Sequence, residues 1–212
     1  MLTFLRKLNR FFAPQKLEAP VQLPVEELVS DEIFNHYSYI ISSRIQYFNE
    51  LPFELKQKFV SRVHQYIGLK QFHYIGLEPK EEIPVLTAAS AIQVTFGLKS
   101  YLMQHFKNIY ILADAYRMDN DEELYIGHVA PEGIYLSWKH FLFGYSDNTD
   151  NINVAVHEMS HALLFNNYFA KFGVDKNFRA NYERFSTTTG PILADNYKKT
   201  KLFTQLCIDE YS

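Results

Sequence analysis

Five consecutive residues, His157-Glu158-Met159-Ser160-His161, constrain this chain more than any other part of it. On a helix, side chains four positions apart share a face, so His157 and His161 aim two imidazoles at one point. Glu158, about 100° further round the axis, is too close in sequence to ligate comfortably beside both. It is placed instead to hold an attacking water as a general base. Two imidazoles and a neighbouring glutamate in this spacing imply a zinc site of the peptidase type. From 8 His and 15 Glu in 212 residues, about 0.02 chance occurrences are expected.

The flanking sequence adds to the motif. Val154, Val156, Met159, Ala162, Leu163, Leu164 and Phe165 make this helix apolar on most faces, which places it in a core. Residues 147–151, Asp-Asn-Thr-Asp-Asn, offer several N-caps for it. Two histidines and a glutamate are costly in a core without partners, and a metal removes that cost. The alternative is a half-exposed helix whose histidines face water. A purely structural zinc is disfavoured, because such a site has no use for a glutamate at the second motif position.

The rest of the chain bounds the class. Hydrophobic residues make up 47%, with 33 Phe and Tyr, enough for one domain with a substantial core. A net charge of −3 gives no reason to expect nucleic acid. The single Cys207 excludes an internal disulfide and fits a reducing compartment. No apolar run reaches transmembrane length, so stable membrane insertion is not expected. Residues 1–16 are basic and amphipathic, and residues 14–24 are proline-spaced. We read 1–24 as an arm and linker that docks on its own domain or frays, and 25–212 as the compact domain. The arm could also touch a membrane surface.

Along the domain, Ser30-Asp31-Glu32 opens a helix running toward Tyr47, and Leu51-Pro52 starts another. A strand is expected over 72–77. A helix follows with Pro84 at its start and Gly97 as its stop. Strands are expected over 109–112, 125–129 and 133–138, with an acidic loop at 119–123. This pattern argues for an α+β domain with a small sheet beside the motif helix. The exposed sheet edge could pair with an extended peptide.

These segments, in this order, resemble the zinc metallopeptidase family of Mlc titration factor A. The matching residues are Leu51-Pro52, Leu86-Thr87-Ala88-Ala89-Ser90-Ala91, Ile109-Tyr110-Ile111-Leu112, Gly133-Ile134-Tyr135-Leu136-Ser137-Trp138 and Asn153-Val154-Ala155-Val156 leading into the motif. The resemblance covers most of the chain from about residue 25. It implies a helical zincin-like fold, similar to the protease domain of anthrax lethal factor, in a soluble, cytoplasmic bacterial protein. It implies one Zn²⁺ per complete site, held by His157 and His161 in a gluzincin arrangement, with Glu158 as base. The substrate implied is a peptide or protein. The best-known member also binds a transcriptional repressor of sugar uptake, so a regulator is a second candidate partner. The alternative function is therefore a repressor-sequestering module with a weak or inactive metal site.

The resemblance also implies an Asp-x-Tyr segment, matched by Asp209-Glu210-Tyr211, with Tyr211 stabilising the oxyanion. A glutamate beyond that segment would be the third ligand, and the sequence ends at Ser212. The expectations that follow are a domain lacking the segment that carries this ligand, and weak zinc binding. His157 and His161 would still face a common cleft. Glu183, Asp195, Asp209 and Glu210 are the downstream carboxylates that could substitute. Glu183 is the first of these, although Asn181-Tyr182-Glu183-Arg184 reads equally well as an exposed turn. His36, His64, His73, His105, His128 and His140 are scattered and read as surface or hydrogen-bonded residues.

Overall fold

A computed structural model describes residues 27–118, 124–146 and 153–169. Several expectations lie outside these residues. They concern the arm and linker at 1–24, the loop at 119–123, the cap candidates at 147–151, and Glu183, Asp195, Cys207, Asp209, Glu210 and Tyr211.

The described elements are helices α1 (Asp31–Ser42), α2 (Gln46–Glu50) and α3 (Phe53–Leu69), strand β1 (Gln71–Ile75), helix α4 (Glu82–Thr95), strands β2 (Asn108–Leu112), β3 (Gly127–Ala130) and β4 (Gly133–Ser137), and helices α5 (Trp138–Ser146) and α6 (Val154–Phe169). The fold is α+β, with a four-stranded mixed sheet in the order β1-β2-β4-β3. β1, β2 and β4 run parallel, and β3 pairs antiparallel with β4. A zincin-like arrangement fits this architecture.

Several boundaries differ from the sequence reading: β1 covers Gln71–Ile75 rather than 72–77, and α4 opens at Glu82, two residues before Pro84, and ends at Thr95 before Gly97. The helix opened by Ser30, whose hydroxyl accepts from Ile33 N–H, stops at Ser42. Ser42 and Ser43 both turn their hydroxyls back onto carbonyls three residues earlier, those of Tyr39 and Ile40, and the chain restarts as α2. The run at 133–138 is strand only to Ser137. The Ser137 hydroxyl then accepts from His140 N–H, and Trp138 begins α5, a helix the apolar pattern concealed. Tyr125 is not part of β3 but forms an isolated bridge with Tyr116.

The two sheet faces are unlike. Ile109, Ile111, Ile134 and Leu136 are fully buried on one. The other carries one ring from each strand, in register: His73 on Tyr110 (4.7 Å between centroids), Tyr110 on Tyr135 (4.3 Å) and Tyr135 on His128 (4.3 Å), all stacked. Helix α6 lies between α4 and the sheet, touching α4 as well as β3 and β4. That explains its apolar residues on most faces: Val154, Ala155, Met159, Ala162, Leu163 and Phe165 are all buried. The small residues of α4, from Thr87 to Ala91, are buried too and allow close approach.

Candidate metal centre

The site is built on α6. Its cap is Asn153, nearer than the residues expected for that role: Asn153 Oδ1 accepts from Val156 N–H at 3.1 Å. The Asn153 side-chain amide donates to Gly144 O, tying the end of α5 to the start of α6. One turn in, His157 N–H donates to Asn153 O at 2.9 Å. His157 and His161 then project together, with their Nε2 atoms 3.1 Å apart and their rings nearly perpendicular at 88°. Two nitrogens held by one tetrahedral zinc would stand about 3.3 Å apart, given Zn–N bonds of about 2.0–2.1 Å. The donor pair therefore fits a metal of that kind.

The electrostatics agree with the geometry. Burial holds the His157 imidazole below its usual pKa. His161 is pushed down to about 4, by burial first and then by His157. Both are thus neutral near pH 7, the form that donates to a metal. Glu158 is buried, and burial pushes its carboxyl up to about 8. A dication beside it would favour the carboxylate and oppose that rise. Among the described residues no third His, Cys, Asp or Glu joins these to complete a metal-holding group.

The sequence reading missed three contributors. Gly127 of β3 lies against Glu158: a Cβ built there would stand 2.7 Å from Glu158 Cγ. A glycine inside a strand pattern is a sign of close backbone approach, and that was the available signal. Asn166, buried further along α6, accepts from His105 N–H at 3.0 Å and ties the helix to the loop before β2. Tyr116 donates to or accepts from His128 Nδ1 at 2.6 Å beside β3, and its phenol pKa is raised by burial first and then by the nearby Glu158.

The sequence matches the family described as glucose-regulated metallo-peptidase M90 over residues 24–211. The chain belongs to that family. It is the family of Mlc titration factor A, as the resemblance in the sequence implied, and membership carries a metallopeptidase role. No individual curated protein matches the chain. Among the described residues, no helix of this M90 family member is long and apolar enough to cross a membrane.

Proposed function

We propose that this protein is a zinc-dependent peptidase that hydrolyses extended peptides. The observation that carries this reading is the convergence of the His157 and His161 Nε2 atoms, 3.1 Å apart, on a helix whose next residue, Glu158, is a buried carboxyl. His157 and His161 would hold the zinc. A carboxylate from outside the described residues would complete the set. Zinc, when bound, supplies a Lewis acid for the scissile carbonyl and acidifies water.

The chain's own groups supply the rest. Glu158 takes the proton from the attacking water and delivers it to the leaving amine. Tyr211 hydrogen-bonds the oxygen that gains charge. Among the described residues, β3 is one of the two edge strands of the sheet, β1 being the other, and β3 lies against the motif helix. Ser137 N–H donates to Ile126 O, so by antiparallel alternation Gly127 and Val129 turn their N–H and C=O groups away from β4. An extended peptide can pair there.

The test is hydrolysis of unstructured peptides by zinc-loaded protein, with metal content measured in parallel. Glu158→Gln should keep the metal and lose about 10²–10⁴-fold in rate, because an amide cannot accept the proton. His157→Ala should lose the metal and the activity together. Undiminished hydrolysis by Glu158→Gln would overturn the role of Glu158, and zinc content independent of His157 would overturn the site.

A further inference from the structure

We propose that Gly127 is a positioning residue for Glu158. Its missing Cβ lets the edge strand lie directly on the glutamate stem and fixes the carboxylate beside the outward-facing rung of the sheet. This inference rests on the peptidase reading and adds to it a residue outside the motif.

The contact is severe. A Cβ at Gly127 would stand 2.7 Å from Glu158 Cγ, 2.9 Å from Val154 Cγ2 and 3.2 Å from Glu158 Cδ. Positive φ is not the reason for the glycine, since that conformation is confined to Gly76 and Gly133 among the described glycines. Space is the reason. Gly127 pairs with Leu136, whose side chain fills the core face, while at Gly127 that same face is given over to Glu158. The rung that Gly127 presents to a peptide and the carboxylate that would move the proton are therefore set by one residue. Any larger side chain must displace either Val154, stiff about χ1 in the first turn of α6, or the middle of the Glu158 side chain. Moving the latter shifts the carboxylate itself, and a misplacement of about 1 Å can cost about 10²-fold in rate.

The experiment compares Gly127→Ala, Val154→Ala and the double variant, each zinc-loaded and assayed on short unstructured fluorogenic peptides, with melting temperature and zinc content measured alongside. Gly127→Ala should retain zinc and lower kcat by about 10²-fold with little change in KM. Adding Val154→Ala removes the contact with Val154 but leaves the closer one with Glu158, so stability should partly recover while kcat stays low. A second readout does not need activity: the stability loss caused by Gly127→Ala should be clearly smaller in a Glu158→Ala background, where only the Val154 contact remains. Unchanged kcat in Gly127→Ala, or kcat restored by Val154→Ala, overturns the proposal. So does an equal stability loss in both Glu158 backgrounds. If the unaltered zinc-loaded protein cleaves no peptide, it is the peptidase reading that fails, and the stability comparison alone decides whether Gly127 holds Glu158 in place.

Discussion

Lys70 buries an ammonium among three carbonyl oxygens, those of Leu102 (2.6 Å), Met103 (2.9 Å) and Phe106 (2.6 Å), with the Tyr66 ring 4.7 Å away. Three donors meet three acceptors, and they hold a loop in which Met103 adopts a positive φ of 44°. Burial pushes the Lys70 pKa from 10.5 down to about 7. Between those values the unfolded chain binds more protons than the folded one, so stability rises with pH across that window. Measured against Lys70→Met, the stability of the unaltered protein should therefore increase between about pH 7 and pH 9, by about 1–2 kcal/mol. Chemical denaturation at several pH values reads this. A pH-independent difference would mean that the three carbonyls hold the charge fully. Nothing at position 70 announces this role, because the lysine follows an amphipathic helix like any solvated residue. The convergence of His157 and His161, with Glu158 beside them, was legible because it follows from local spacing on one helix. Gly127 and Lys70 act on residues more than thirty positions away, and one-dimensional spacing carries no such information.

At the scale of elements, α6 depends on its first turn. The Asn153 side chain accepts from Val156 N–H, and the Asn153 carbonyl accepts from His157 N–H. Asn153→Ala should cost about 1 kcal/mol of stability. It should also loosen the turn that carries His157, so zinc affinity should fall while the melt remains cooperative. Calorimetric titration with zinc, beside urea unfolding, measures both; no change in either would show that the cap is dispensable. Helix α6 itself could be read from its apolar pattern and motif, and α3 and β2 were placed nearly as closely. The break between α1 and α2 could not be, because Ser42 and Ser43 sit in a continuous helical pattern and end it through their own hydroxyls. Helix α5 was hidden for the opposite reason: Trp138 continues an apolar strand run, and only the cap at Ser137 marks the change.

For the whole molecule, the sequence supported an α+β fold but not the order of its strands, since pairing between β2 and β4 skips β3. That order leaves β3 at an edge and against α6, which bears on substrate choice. Pairing with an edge requires an extended backbone free of other partners. A disordered peptide should therefore be cleaved far faster than the same sequence inside a stable globular protein. Parallel digests followed by mass spectrometry compare the two, and equal rates would argue against presentation by the edge.

The ladder of His73, Tyr110, Tyr135 and His128 has a consequence on the opposite side of the sheet. Strand side chains alternate between faces, so the sheet works as a vernier with marks on both scales. If β3 slid by one residue against β4, His128 would leave its stack with Tyr135 and turn inward. Either Ile126 or His128 would then lie where Gly127 lies now, pressed into the stem of Glu158. The alignment that seats four rings on the outer face is the same one that leaves room at Gly127 for the Glu158 stem. A fault in one is thus a fault in the other.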